Sequence, residues 1–411
     1  MAEPKVKVIR SKKRVTSEKN VYELAKERIH VAYDMFDSVS VSFSGGKDST
    51  AVLQMVYEVA QERDDLPLHV FFFDEEAIPY QTEDYVRRVA AWPGIDLDWY
   101  CLPVQHRNAC SRRDIYWYPY DPDCPEKWVR PLPPEAITEI DGFPLQPPEE
   151  RLSIPHTDAL LFDPQTHGNV AMFMGIRAQE SMTRQRAVTQ KVKENYIIKY
   201  NEPTDKGNLW RVYPIYDWRT EDVWTAPAKM GWDYNKAYDV MEMAGLAQSQ
   251  QRCSPAYGEE PLQKLWTYQH CFPEIWDKMT DRVPGAAAAA RYATTELYGF
   301  KKRPEKPPAM SWEGYVAHLI DQWPKTAQKQ YIAERVGSEL QKHFKKTTDP
   351  LAVKSPHPVS GMSWDYIVQI AMRGDFKTRR SPMARINPGQ MEKHWTQYHA
   401  EIQHMLSEGQ L

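Results

Sequence analysis

A β-branched run that breaks on two glycines and restarts as a helix is the feature that most constrains this 411-residue chain. Ser38-Val39-Ser40-Val41-Ser42-Phe43 alternates small polar and apolar residues as a strand does. Gly45-Gly46 ends the strand, and Val52, Leu53, Val56, Val59 and Ala60 give Ser49 to Arg63 a helical period. Between them lies Ser44-Gly45-Gly46-Lys47-Asp48-Ser49-Thr50. A loop that feeds a helix turns its peptide N–H groups and the positive end of the helix dipole toward one point, and that point suits phosphate. Gly45 and Gly46 let the main chain approach an anion without a Cβ, Lys47 adds a mobile charge, and the hydroxyls of Ser44, Ser49 and Thr50 add donors. The spacing is not that of a Walker A loop, because Gly45-Gly46-Lys47 is followed by Asp48 where that loop needs Ser or Thr.

The surrounding pattern predicts a doubly wound, mostly parallel α/β sheet with a mostly helical C-terminal part. A helix behind a Ser cap is expected from Ser17 to Phe36, strands at Leu68 to Asp74 and Ile95 to Leu102, and a helix from Gln81 to Ala91 between them. From Pro103 to Gly168 the alternation stops. Tyr116-Trp117-Tyr118-Pro119-Tyr120 and Pro131-Leu132-Pro133-Pro134 make this stretch too aromatic for a flexible spacer, so it reads as an insertion. The sheet resumes at Asn169 to Gly175, with an edge strand expected near Trp210 to Tyr213. Thr220 is expected to cap the next helix, and further helices follow at Leu262 to Thr280, Ala286 to Tyr298, Trp312 to Trp323 and Thr326 to Phe344. The domain boundaries so predicted are a basic tail over 1–16, a nucleotide-binding α/β domain over 17–250 carrying the 103–168 insertion, and a helical domain over 251–411.

Composition narrows the partners. A hydrophobic fraction of 42% with 12% aromatics is globular, and a formal charge of −4 is no polyanion signature. Basic groups cluster only locally, in Lys5 to Arg14, read as a solvated tail or a partner arm, and at Arg373, Lys377, Arg379 and Arg380. No apolar run is long enough for a membrane span and no secretory signal is legible, so a cytoplasmic location is expected. Five cysteines, with no Cys-x-x-Cys pair, suit reduced thiols, and neither an iron–sulfur cluster nor zinc is expected. Cys253 beside Arg252 has the most suggestive setting, since a neighbouring cation lowers a thiol's pKa, although a merely buried residue accounts for it as well.

Ser44 to Thr50 resembles the SGGKDS signature of the PP-loop ATP pyrophosphatase superfamily, whose loop holds the β- and γ-phosphates and leaves the α-phosphorus open. Further likenesses point to the phosphoadenosine phosphosulfate (PAPS) reductase-like branch. Phe73-Asp74 followed by Tyr80 to Val86 is similar to that branch's strand end and helix start. Gly175-Ile176-Arg177-Ala178-Gln179-Glu180-Ser181 resembles its GIRxxES segment, which sets an Arg over the phosphates, and Tyr213 to Trp224 resembles its W-x-x-x-D-V-W segment. The likeness fails at the end, where Met405 to Leu411 lacks the branch's catalytic Cys tail, so PAPS reduction itself is not expected. Overall the chain most resembles the IbrA-like group, named for a regulator of immunoglobulin-binding proteins, whose partner is often a ParB/sulfiredoxin-like protein.

The expected reaction is therefore cleavage of ATP at the α-phosphate, with adenylylation of an acceptor and release of pyrophosphate. The resemblance implies Lys47, Asp48 and Arg177 as catalytic, and Ser44, Gly45, Gly46, Ser49, Thr50, Asp74 and Gly175 as nucleotide-binding residues. Mg²⁺ accompanies the nucleotide, with Asp48 and Asp74 as its candidate ligands. Arg184 and Cys253 are candidates for a substrate or thiol site, and Arg184 and Arg186 fit equally a positive pocket or a solvated helix face. Two other readings stay open: sulfur transfer to a nucleic acid, and a nucleotide-binding regulator without turnover.

Overall fold

The computed structural model describes residues 17–180, 184–185, 188, 196–248, 250–255, 257, 265–292, 306–376, 382 and 388–409. The basic tail over 5–14 and Ser181, Arg186, Lys377, Arg379 and Arg380 lie outside them. Two compact units are built from the described parts of Met1–His106, Tyr118–Ala256 and Trp266–Arg282, and of Arg107–Trp117, Tyr257–Leu265 and Val283–Leu411.

The first unit holds a six-stranded sheet in the order β3-β2-β1-β6-β8-β7. Helix α1 (Val21–Met35) leads into β1 (Ser38–Phe43), α2 (Lys47–Glu62), β2 (Leu68–Phe73), α3 (Tyr80–Ala90) and β3 (Ile95–Tyr100). Within the insertion come the short helices α4 (Ile154–Asp158) and α5 (Pro164–His167), while residues 107–117, which belong to the second unit, hold the end of β4 (His106–Arg107) and the two-residue strand β5 (Tyr116–Trp117). Then follow β6 (Val170–Met174), β7 (Ile197–Lys199), β8 (Leu209–Val212), α6 (Thr220–Met230), α7 (Ala237–Met243), α8 (Leu265–Cys271) and α9 (Pro273–Arg282). β1 pairs in parallel with β2 on one side, Val41 opposite Val70, and with β6 on the other, Val41 opposite Phe173.

Apolar content on both faces explains the central strands: Val70, Phe71, Phe72, Val170, Ala171, Met172 and Phe173 are all buried. Helix α2 is buried from Ser49 through Val56, which makes the helix behind the glycine loop the centre of the core. A side chain of this size buried from water contributes roughly 1.5–3 kcal/mol. One polar row crosses the sheet, with Ser40 Oγ 2.8 Å from His69 Nδ1 and His69 Nε2 3.2 Å from Asp98. Ser40 is buried, so this row is a cross-strand tie with no reachable nucleophile.

The strand read as the edge, near Trp210, is second from it. β7 pairs antiparallel with β8 outside it, and its three residues are too few for a legible period. Helix α1 is capped by Asn20 instead of Ser17, because Asn20 and Glu23 form a reciprocal capping box. Thr220 is the first helical residue of α6 and Arg219 stands at the cap, its N–H donated to Asp222 at 2.7 Å. The helix expected over Leu262 to Thr280 is two helices. Pro273 has no N–H to continue α8 and starts α9.

The insertion is packed onto the strand ends by buried charge. Arg130 donates to both oxygens of Asp74 at 2.5 Å, to Glu83, and through Nε to the Glu76 carbonyl at 2.9 Å. Glu76 accepts the N–H groups of Tyr120 (2.6 Å) and Val129 (2.8 Å) and the Arg282 Nε (3.1 Å). The side chains of Arg130 and Asp74 are 0% exposed. Burial raises the Glu76 carboxyl, opposed by Arg282 and the two backbone N–H groups.

The second unit is helical: α10 (Ala286–Tyr292), α11 (Trp312–Asp321), α12 (Thr326–Phe344), α13 (Trp364–Arg373) and α14 (Met391–Ser407). Tyr315, Leu319, Trp323, Ile332, Val336, Ile367 and Ile370 form its core. His343 contacts Ser360 Oγ at 2.7 Å and His357 contacts Asp349 at 3.0 Å; both histidines and Ser360 are buried, and Asp349 is partly open to solvent.

Two outcomes test this packing. Arg130→Met leaves the buried Asp74 without its cation, while Glu83 keeps Arg87, and is expected to cost about 3–5 kcal/mol in denaturant unfolding; a change below about 1 kcal/mol contradicts it. Asp158 in α4 meets the Tyr200 hydroxyl at 3.0 Å, and burial pushes its carboxyl from 3.8 up to about 7. The fold thus favours the neutral acid, so the stabilisation present below 3.8 is lost as pH rises to about 7. Asp158→Asn should melt several degrees above wild type at pH 8, and the gap should narrow toward pH 5. A pH-independent gap contradicts the assignment.

Candidate functional site

The chain leaves β1 for α2 and then turns to β2, while β6 lies on the other side of β1, so connections diverge between β1 and β6. In an open α/β sheet a ligand crevice forms at such a point, outside the carboxyl ends of the strands. Ser44 to Ser49 follows β1 there, and Gly175-Ile176-Arg177 follows β6. The two exits touch. A Cβ on Gly175 would stand 2.6 Å from Asp48 C and Ser49 N, so only glycine lets β6 end against the loop.

Gly45 adopts φ +66°, a left-handed conformation open to glycine, and a Cβ there would meet Thr82 Cγ2 at 2.8 Å. Thr50 N–H donates to the Gly46 carbonyl at 2.9 Å, the first intrahelical bond of α2. The N–H groups of Lys47, Asp48 and Ser49 precede it at the positive end of the helix. Lys47's is donated to the Tyr238 hydroxyl at 2.9 Å.

The three hydroxyls read as phosphate donors divide. Ser44 is exposed, its Oγ 2.9 Å from that of Ser49. Ser49 is buried and donates to the Gly46 carbonyl at 3.0 Å. Thr50 is a correction: it is buried in the core at 1% exposure, and its hydroxyl meets no hydrogen-bond partner there among the described residues.

Three charges meet at the loop. Arg177 donates from Nε to Asp48 Oδ1 at 2.6 Å, and its Nη1 reaches Gln179 at 3.3 Å and Thr220 at 3.4 Å. Lys47 Nζ lies 3.7 Å from Asp48 Oδ2 and 3.5 Å from the Gln251 carbonyl. Asp48 thus sits between two cations, and the cluster carries one positive charge in excess. Arg184 pairs with the Glu180 carboxylate. Arg373 lies in the last turn of α13, in the second unit.

Asp74, expected near ribose or magnesium, is corrected. Both oxygens face Arg130, Oδ2 accepts the Trp99 indole N–H at 3.1 Å and Oδ1 the Glu76 N–H at 2.9 Å, so no face of the carboxylate is open. Among the described residues, no group of three or more His, Cys, Asp or Glu could hold a metal ion. Of the two magnesium candidates, Asp48 keeps a partly open side chain, 15% exposed, between Arg177 and Lys47.

Cys253 is corrected as well. It lies behind the loop and is 4% exposed, whereas Arg252 is exposed to solvent. Burial pushes its thiol up to about 11, against opposing pulls from Tyr238, Lys47 and Thr82. All five cysteines are free thiols.

Sequence reasoning missed Asn235, Tyr238 and Arg130. Asn235 Nδ2 contacts the Gly45 carbonyl at 2.9 Å, Thr82 Oγ1 at 2.8 Å and Cys253 Sγ at 3.4 Å. Tyr238 stacks its edge on Trp224, ring centres 5.0 Å apart. Trp218 is structural: it is buried in the sheet core and donates its indole N–H to the Val21 carbonyl at 3.0 Å.

Comparison with known proteins accords with this geometry. The family model described as a phosphoadenosine phosphosulfate reductase domain matches residues 38–131 and 146–241, from β1 into α7, and a domain of unknown function, DUF3440, matches 245–357. The uncharacterized protein YbdN of Escherichia coli (strain K12) is 30% identical over 375 residues, 88% of this chain and 89% of YbdN. The uncharacterized protein MJ0973 of Methanocaldococcus jannaschii is 24% identical over 303 residues, 73% of this chain and 58% of that one. Among solved structures, Candida glabrata FMN adenylyltransferase superposes with a TM-score of 0.34 at 13% identity, over 53% of this chain and 57% of the other. The PAPS reductase of Candida auris gives 0.28 at 16%, over 55% and 93%. The U34-tRNA thiolase NcsA of Methanococcus maripaludis gives 0.30 at 11%, over 69% and 81%. Superpositions this loose carry no argument about chemistry. No helix among the described residues is long and apolar enough to cross a membrane. The chain belongs to the family of the Escherichia coli protein YbdN, and its residues 38–131 and 146–241 match a PAPS reductase domain.

Proposed function

We propose that this protein binds ATP, or a related adenine nucleotide, on the Ser44–Ser49 loop and cleaves it at the α-phosphate. The observation that carries the reading is the glycine loop at the divergence of β1 and β6, with Lys47 and Arg177 beside it. An acceptor oxygen attacks the α-phosphorus and the bond to the bridging oxygen breaks. AMP joins the acceptor, pyrophosphate leaves, and the acceptor's proton passes to solvent. Catalysis of this kind is mostly positioning and charge stabilisation. The N–H groups of Gly46, Asp48 and Ser49, with Ser44, hold the leaving pyrophosphate, the Lys47 ammonium offsets its growing charge, and Arg177 is held by Asp48, Gln179 and Thr220 in a fixed orientation. Magnesium bound with the nucleotide would be held by its phosphates and Asp48 and supply charge neutralisation.

Adenylylation is preferred to sulfur transfer because the thiol nearest the loop, Cys253, is kept protonated at neutral pH by burial. The loop does not specify the acceptor; a nucleic acid is one candidate. The IbrA-like reading favours a ParB/sulfiredoxin-like partner, with both in the cytoplasm.

Incubation with ATP and Mg²⁺, alone and with candidate acceptors, should release AMP and pyrophosphate; ADP and phosphate contradict the reading, and no turnover with any acceptor favours a regulator. Lys47→Ala should lower kcat/KM by roughly a hundredfold. Arg177→Lys keeps the charge but loses the planar fork, and should lower it by at least about tenfold; wild-type turnover in either variant removes that residue from the mechanism.

A further inference from the structure

The geometry points to Asn235 as the positioning residue of the phosphate loop, acting through the Gly45–Gly46 peptide. Asn235 lies just before α7 and is 1% exposed. Its Oδ1 accepts the Ala237 N–H at 2.9 Å, and its Nδ2 is 2.9 Å from the Gly45 carbonyl. These two contacts fix which end of the amide is which, since the carbonyl needs a donor and the N–H an acceptor.

A trans peptide unit sets its C=O and the following N–H on opposite sides. Pinning the Gly45 carbonyl on Asn235 therefore turns the Gly46 N–H away from the interior, to the side where the first turn of α2 presents its positive end. Gly45 and Gly46 give the loop no side chain that would choose this orientation, and glycine at φ +66° has alternatives of similar energy. Something outside the loop must choose it. Thr82 packs beneath Gly45 and shares the same Nδ2, so α3 and the segment before α7 grip the loop together.

This inference rests on the loop being an anion site, and the test separates the two claims. Inorganic pyrophosphate is titrated by calorimetry into the full chain as wild type, N235A and N235D, with near-ultraviolet circular dichroism reporting packing around the 14 tryptophans. Asp keeps the oxygen that caps α7 but sets a negative charge against the Gly45 carbonyl, whereas Ala loses the cap. A residue that merely caps would tolerate Asp better than Ala. A residue that orients the peptide shows the reverse: pyrophosphate affinity falls by at least about tenfold in N235A, and further in N235D, with the spectrum retained. Wild-type affinity in either variant, a milder loss in N235D than in N235A, or a loss that accompanies a collapsed spectrum overturns the role of Asn235. Failure of the wild-type chain to bind pyrophosphate overturns the loop reading itself.

Discussion

The backbone of Gly175 lies against the Asp48–Ser49 peptide so closely that no side chain fits between them. This contact joins the exits of β1 and β6, the two strands from which the chain departs in different directions. Remove it and Arg177, two residues further on, no longer reaches Asp48, with which it makes a 2.6 Å pair. The site is thus a consequence of strand order as much as of the glycine loop, since the order sets an arginine from one exit beside an aspartate from the other.

Beneath the loop the protein spends buried polarity on shape. Asn235, Tyr238 and Thr82 meet the back of the loop, and Asp74, Glu76, Glu83, Arg130 and Arg282 tie the insertion and α9 to the end of β2. Charges this deep are costly unless every partner is present, which makes the arrangement intolerant of substitutions that remove one partner. The exposed part of the same region keeps only Ser44 and the partly open Lys47 and Asp48. The rigid layer is built from residues far apart in sequence, whereas the phosphate loop is a single hexapeptide met by Arg177 from the other strand exit.

That division explains what was legible. The glycine loop, its strand and its helix are local, so periodicity and glycine spacing revealed them, and the apolar runs of β2 and β6 announced a parallel sheet. Arg177 could be named because it stands in a motif. Asn235 could not, since it lies 190 residues from the carbonyl it holds and nothing in Trp232-Asp233-Tyr234-Asn235 distinguishes it from an ordinary polar turn. Asp74 was misassigned because a strand-end carboxylate reads the same in sequence whether it faces a ligand or Arg130, 56 residues on. Cys253 was misjudged for a similar reason: an arginine next to it in the chain does not reveal that the thiol itself is buried.

The account stands on the loop being where phosphate binds, and backbone amide resonances report that directly. On titration of pyrophosphate into the isotopically labelled full chain, the N–H resonances of Gly46, Lys47, Asp48 and Ser49 should shift together and saturate, while those of α14 stay in place. Saturable binding that leaves these four resonances unmoved would contradict it.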